Sequence, residues 1–240
     1  MKDKKVLITS ACRTAVGSFN KSLKNVPAFE MGSCVIKKSV EKSKLKNSDI
    51  DEVILGQVLT GGAGQNPARQ AAIKSGIPKE KTAYIVNQVC GSGIRSVASG
   101  FQSIISGDSK IVIAGGQESM SLSPHAIRLR EGNKLGDTKL IDMMIKDGLW
   151  DAFNGYHMGI TAENVADKFQ ITREEQDKFA IKSQENALKA QKNEKFKEEI
   201  VNFQIKLKNT EFNFNIDEHP REGIDLKTLK KLKPAFNKDG

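Results

Sequence analysis

No run of apolar residues in this 240-residue chain approaches the ~18 that a membrane-spanning helix needs. The start, MKDKKVLITSACR, passes from lysines straight into alternating apolar residues without a signal-peptide core, so no membrane association is expected. Cysteine is scarce: Cys12, Cys34 and Cys90 are odd in number and spaced neither as a disulfide framework nor as a metal knuckle, so reduced thiols and a cytoplasmic location are expected. The histidines His125, His157 and His219 have no second ligand type at helical i, i+4 spacing, and no metal site is expected. Six prolines and twenty glycines are too few for collagenous, mucin-like or low-complexity sequence. Aromatics make up only 6%, with no Arg/aromatic stripe, which leaves a nucleic-acid surface without support despite a net charge of +9. Residues 1–50 hold eleven Lys or Arg against four Asp or Glu, or +7, scattered as on a solvated surface. A small phosphorylated ligand would need only local positive charge.

Hydrophobic residues at 38% and charged residues at 28% are ordinary usage, enough for the core of one large or two modest domains. The first half alternates strand-like and helix-like segments. Val6-Leu7-Ile8-Thr9 predicts a strand, the apolar positions Met31, Val35 and Val40 a helix, and Glu52-Val53-Ile54-Leu55-Gly56 another strand. Pro67 opens a helix through Ile73 that Gly76 ends, and Ala83-Tyr84-Ile85-Val86 reads as a buried strand. Ser92 to Ile105 is helical: Ile94, Val97, Ala98, Phe101, Ile104 and Ile105 recur every three or four residues, and Gly107 closes the helix. Lys110-Ile111-Val112-Ile113-Ala114 is the next strand, ending at Gly115-Gly116. This alternation predicts a parallel α/β sheet, with one βαβ unit turning at Cys90. After Met120 the sequence becomes charged and irregular, an excursion out of the sheet, which divides the chain into an α/β region at 1–120 and a second region at 121–240. There, residues 161–191 read as helical, with Thr172 and Glu175 spaced as a capping box for a helix carrying Phe179, Ser183 and Ala187 on one face. Val201-Asn202-Phe203-Gln204-Ile205 alternates as a half-buried strand, and the closing LKTLKKLKPAFNKDG holds a short amphipathic turn.

Chemistry concentrates at Cys90, in Asn87-Gln88-Val89-Cys90-Gly91-Ser92-Gly93, between an apolar strand and the first turn of an amphipathic helix. A helix N-terminus presents unpaired N–H groups and a positive dipole, which favour thiolate over thiol, and glycines let substrate and backbone approach closely. The competing reading is a small buried hydrophobe beside a tight turn. The residues by themselves leave both open. Cys12 and Cys34 fit packing positions and are assigned no chemistry. His157, flanked by glycines in Gly155-Tyr156-His157-Met158-Gly159, reads either as a site residue or as a satisfied loop histidine. Gly115-Gly116-Gln117-Glu118-Ser119-Met120 follows a strand, at the end where α/β folds place ligands, whereas Gly61-Gly62-Ala63-Gly64 fits neither a dinucleotide fingerprint nor a P-loop.

Five collinear motifs carry a resemblance: Arg13-Thr14-Ala15-Val16-Gly17, Asn66-Pro67-Ala68-Arg69, Asn87 to Gly93, Gly115 to Ser121, and Tyr156-His157-Met158-Gly159-Ile160-Thr161-Ala162-Glu163-Asn164. Over essentially its whole length the chain resembles the thiolases, in the branch that forms acetoacetyl-CoA. The resemblance implies a layered α/β thiolase fold, whose first half (1–120) carries the nucleophile and whose inserted loop domain (121–240) covers coenzyme A. It further implies that acetyl-CoA acylates Cys90, with the Cys90 N–H helping to hold the thioester oxyanion, in a ping-pong condensation of two acetyl-CoA to acetoacetyl-CoA or its thiolytic reverse. Leu149, His157 and Met158 match positions beside the pantetheine and thioester, and Arg221 and Thr228 match positions near the nucleotide. No tightly bound cofactor is implied; the coenzyme A thioester is the substrate. Gly132 to Leu140 resembles the loop through which thiolases assemble as tetramers from pairs of dimers.

Thiolases continue through a second copy of the fold, which carries an Asn-Glu-Ala-Phe segment, a Gly-His-Pro histidine and a Cys-Gly-Gly cysteine. None of these motifs occurs in the 240 residues, and no other histidine or cysteine here fits their roles. The expectation is a thiolase lacking its second half and inactive alone. Two other readings are a non-catalytic coenzyme A or acyl-CoA binding module, and an interaction subunit complemented by a separate C-terminal half.

Overall fold

The computed structural model describes residues 5–206 and 211–240; residues 1–4, part of the stretch read above as lacking an apolar leader, lie outside it. The sheet forms where the sequence is most apolar. β2 (Glu52–Gly56) is central and pairs in parallel with β3 (Thr82–Val86) on one side and β4 (Val112–Gly116) on the other, giving the order β3-β2-β4. Val53 and Ile54 are both 0% exposed, because helices cover both faces. Burying such a side chain stabilises the fold by roughly 1.5–3 kcal/mol.

On one face α1 (Ala28–Lys42) and α2 (Pro67–Lys74) pack Ile36, Val40, Ala68, Ala71 and Ala72 onto Val53 and Leu55. Helix α2 starts as its sequence dictates: Pro67 stands at its first turn and the Asn66 side chain accepts the Arg69 N–H. On the other face lies α3 (Ser92–Ser106), ended by Gly107 at φ 92°. The side of α3 that meets the sheet is the small-residue one, not the apolar one. Ser92, Ser96 and Gly100 are buried there, and the Ser96 hydroxyl donates to Gly115 O at 2.6 Å. Ile94, at 79% exposed, Val97 and Phe101 point away from the sheet. Small residues allow the helix backbone close to the strands, and the apolar stripe is left exposed.

Two strands also depart from expectation for want of partners. Val6 to Thr9 forms no ladder, and Leu7 and Ile8 are 77% and 82% exposed, since apolar alternation makes a strand only beside another strand. The first strand is instead β1 (Arg13–Thr14), which pairs in parallel with β7 (Ile200–Val201). β4 begins two residues later than Lys110, because the Lys110 and Ile111 N–H groups donate to the Asp51 carboxylate at 2.8 and 3.1 Å instead.

Beyond β4, β5 (His125–Ala126) and β6 (Ile141–Asp142) form an antiparallel pair at the base of the charged excursion. The helical stretch is two helices, α4 (Met158–Phe169) and α5 (Arg173–Lys192), the second opened by the expected Thr172/Glu175 capping box. Of the residues sharing the face read from sequence, Phe179 and Ser183 are exposed and Ala187 is half-buried, while Arg173, Asp177 and Gln184 turn inward. Polar anchors set that rotation, since Arg173 pairs with Asp177 and donates to Leu229 O and Leu232 O, while Gln184 Oε1 accepts the Arg221 N–H. The alternating run at 201–205 breaks at Asn202 into β7 and β8 (Phe203–Lys206), and β8 pairs antiparallel with β9 (Glu211–Phe214). Val201, Phe203 and Ile205 are buried, and Phe203 and Ile205 join Ala15, Leu23 and Phe214 in a second core. The short amphipathic turn is α6 (Leu226–Leu229).

Candidate active site

Cys90 sits at the tip of the turn between β3 and α3, exposed and unpaired. The residue before it, Val89, has φ 49°, a left-handed conformation that is costly for a β-branched side chain. A local network imposes it: Val89 N–H donates to Asn87 Oδ1 at 3.0 Å, Gln88 N–H donates to Ser92 Oγ at 2.9 Å, and Ser92 Oγ donates to Val89 O at 2.6 Å. Ser92 thus braces the turn from both sides. The turn also sits tightly on the sheet. A Cβ on Gly56, the last residue of β2, would lie 2.6 Å from the carbonyl carbon of Ser92 and 2.8 Å from the amide of Gly93.

Cys90 opens into a cleft of about 540 Å³ at the C-terminal ends of the parallel strands. Its walls are Val58 and Leu59 after β2, Val89 and Ser92 at the turn, Glu118 and Met120 after β4, and Met144, Gly148 and Leu149 from the excursion. That last wall is a single π-helical turn, Ile145–Leu149, and the Asp142 carboxylate fixes its start by accepting the Met144 and Ile145 N–H groups. The floor holds a buried amide pair, in which Gln117 Nε2 donates to Gln57 Oε1 at 2.8 Å. Of the lining residues only Cys90 and Glu118 are titratable. Burial pushes the Glu118 carboxyl up from its ordinary value, against the pull of the Val58, Leu59 and Ser119 N–H groups. An exposed sulfur in a mostly apolar cleft can attack an electrophile that this cleft receives.

Of the residues matched to the coenzyme A site, the structure brings Leu149 into the Cys90 cleft; His157, Met158, Arg221 and Thr228 are not among its lining. His157 caps α4, its Nδ1 accepting the Gly159 N–H at 3.0 Å, and its ring stacks on Phe236 with centroids 5.0 Å apart. That bond leaves Nε2 as the nitrogen able to carry the proton. Met158 begins α4, partly exposed. The Arg221 side chain is exposed, and the Thr228 N–H is held by Asp225 at the start of α6. Val58, Leu59, Met144 and Gly148 were not singled out from sequence. The first two follow from the tendency of ligand sites to collect past the C-terminal ends of parallel strands. Met144 and Gly148 carry no local signal. Among the described residues no group of three or more His, Cys, Asp or Glu is placed to hold a metal, and no helix is long and apolar enough to cross a membrane.

Residues 6–240 match the family described as "Thiolase, N-terminal domain". An acetyl-CoA acetyltransferase of Rhizobium meliloti is 56% identical over 240 residues, covering all of this chain and 61% of the relative. The cytosolic acetyl-CoA acetyltransferase of Mus musculus is 49% identical over 235 residues, covering 98% of this chain and 59% of the relative. The crystal structure of the Bacillus anthracis acetyl-CoA acetyltransferase superposes with a TM-score of 0.94 at 39% identity, covering 97% of this chain and 59% of that one. The chain therefore spans about 60% of the length of the curated relatives it matches. With the parallel sheet, the strand-to-turn-to-helix cysteine and the excursion after β4 all in place, the chain belongs to the thiolase family, as the portion that holds its N-terminal domain.

Proposed function

We propose that the protein carrying this chain is an acetyl-CoA acetyltransferase and that Cys90 is its acyl acceptor. The observation that carries the reading is the exposed Cys90 sulfur at a braced strand-to-helix turn, opening into an apolar cleft in a thiolase N-terminal domain. The sulfur adds to the carbonyl carbon of acetyl-CoA, the bond from that carbon to coenzyme A sulfur breaks, and coenzyme A leaves as its thiol with the proton from Cys90. A second acetyl-CoA, deprotonated at its α-carbon, then attacks the acetyl carbonyl carbon; the bond from that carbon to the Cys90 sulfur breaks as the carbon–carbon bond of acetoacetyl-CoA forms, and the α-proton ends on the released Cys90 thiol. Thiolysis is the same sequence reversed.

Leu149, which lines the Cys90 cleft, belongs with His157 and Met158 beside the pantetheine and thioester. Arg221 and Thr228 belong to the nucleotide end, where an exposed guanidinium can meet phosphate or stack on a base. The exposed Leu135 and Leu140 in the Gly132 to Leu140 stretch suit the tetramer-forming role expected of that loop. Three free cysteines accord with a cytoplasmic location. The groups that activate the nucleophile and move the α-proton belong to a second thiolase domain, so the 240 residues alone should not turn over.

Intact-mass analysis after exposure to acetyl-CoA tests the reading. The intact protein should gain one acetyl group; Cys90→Ala should lose that adduct, and Cys12→Ala and Cys34→Ala should keep it. An adduct that survives Cys90→Ala would refute the assignment.

A further inference from the structure

Glu118 has no role in the chemistry just described, yet among the described residues it is the one carboxyl lining the Cys90 cleft. It follows β4 and turns back across the end of the sheet toward the exit of β2. There the ladder to β3 ends with the Gln57 N–H, which donates to Val86 O at 3.1 Å. The Glu118 carboxylate takes the next two amides: Oε2 accepts the Val58 N–H at 2.8 Å and Oε1 the Leu59 N–H at 3.2 Å. Leu59 in turn lies against the excursion, where a Cβ on Gly148 would sit 3.6 Å from Leu59 Cδ2. One side chain therefore ties the wall after β4 to the wall after β2, and through Leu59 to the turn that carries Leu149.

We propose that Glu118 is a positioning residue for acyl transfer at Cys90, its carboxylate holding the 57–59 wall and, through Leu59, the Gly148 and Leu149 side of the cleft. The proposal rests on the reading of Cys90 as acyl acceptor, although the placement of the walls is measurable without it. Of its three N–H donors, those of Val58 and Leu59 converge on separate oxygens. An ionised carboxylate offers an acceptor to each, whereas a carboxamide offers one and turns its own N–H groups on the other. Stability pulls the opposite way. Burial raises the Glu118 carboxyl against its three N–H donors, so the fold favours the neutral form and loses stability as pH rises through that raised value. Glutamine removes the charge but pairs only one of the two N–H groups, so it separates the carboxylate's geometry from mere burial. Among the described residues Cys90 is the only other titratable side chain lining the cleft.

The test uses the intact protein with Glu118→Gln and Glu118→Asp, the latter keeping the charge and shortening the reach. Amide hydrogen exchange reads the walls, acetylation of Cys90 by acetyl-CoA reads acyl transfer, and alkylation of Cys90 by iodoacetamide reads bare sulfur access. In both variants exchange across 57–59 and 144–149 should quicken by about tenfold or more while α1 and α2 stay protected. Acetylation should slow by about tenfold, with alkylation changed less than about threefold. In the unsubstituted protein, protection at 57–59, corrected for intrinsic exchange, should fall as acid protonates Glu118; in Glu118→Gln it should be flat. Unchanged exchange at 144–149 in both variants overturns the proposal whatever acetylation does. Unchanged acetylation with altered exchange also overturns it, as does Glu118→Asp behaving like the unsubstituted protein. Failure of the unsubstituted protein to acetylate Cys90 counts against the acyl-transfer reading, and the exchange data still decide whether Glu118 holds the walls.

Discussion

At the scale of single residues, the cysteine turn is a strained conformation kept in place by cheap local bonds. Val89 at φ 49° would relax if its neighbours let it, and Asn87, Ser92 and the close floor at Gly56 do not. Gly56→Ala tests the floor. Its added Cβ would meet backbone atoms of Ser92 and Gly93, which cannot move aside as a flexible side chain could. The substitution should cost about 1–3 kcal/mol, read from urea unfolding, and should change the rate of Cys90 alkylation. Retention of both stability and alkylation rate would show that the turn does not depend on this approach. Cys90 was legible in sequence because a strand, a glycine pair and an amphipathic helix punctuate the chain around it. Glu118 was visible only as part of a loop after a strand, since its partners Val58 and Leu59 stand 60 and 59 positions earlier.

At the scale of elements, the strands that were legible are those with partners inside the chain. β2 is apolar on both faces because α1 and α2 cover one and α3 the other, and its run of Val, Ile and Leu declares that burial. Val6 to Thr9 has the same local pattern and no ladder, so pattern alone misled. Short β1 was missed because its two residues are fixed by distant charge rather than by local apolar pattern. Arg13 donates to Glu199 at 2.7 Å and, through two nitrogens, to Asp217 at 2.7 and 3.0 Å; Asp217 also accepts the Val16 N–H at 2.7 Å. Burial pushes the Asp217 carboxyl up, but the Arg13 guanidinium and the Val16 N–H outweigh it and hold the group below its ordinary value. The ionised form is thus favoured by the fold. Its contribution is complete above the ordinary carboxylate range and is lost as pH falls through the depressed value. Asp217→Asn should therefore lower stability by about 2 kcal/mol at neutral pH, and the gap to the unsubstituted protein should close in acid, as measured by urea midpoints across pH. A gap independent of pH would mean that the carboxylate charge contributes nothing to this junction.

At the scale of the whole molecule, burial is uneven in a way that the periodicity of α3 could not disclose. The helix has two faces fit for packing: a small one of Ser92, Ser96 and Gly100, and an apolar one of Ile94, Val97 and Phe101. Sequence periodicity marks the apolar face, and such a face ordinarily meets a core. The structure gives the sheet the small face, which admits Gly56 and Gly116 near the helix start and Val112 beside Gly100. The apolar stripe is left facing outward, with Leu7 and Ile8 also uncovered. Contiguous exposed apolar surface of this kind drives association. The 240-residue chain by itself should therefore self-associate, its sedimentation coefficient rising with concentration, and the double substitution Ile94→Lys with Phe101→Lys should return it to a monomer. In the isolated chain both side chains are exposed, so that double variant should leave the unfolding midpoint nearly unchanged, each change costing within about ±0.5 kcal/mol. In the intact protein, if the remaining portion covers α3, the same two lysines would be buried without partners and should destabilise it by several kcal/mol. Equal tolerance of the double substitution in both forms would show that α3 keeps its apolar face in water throughout.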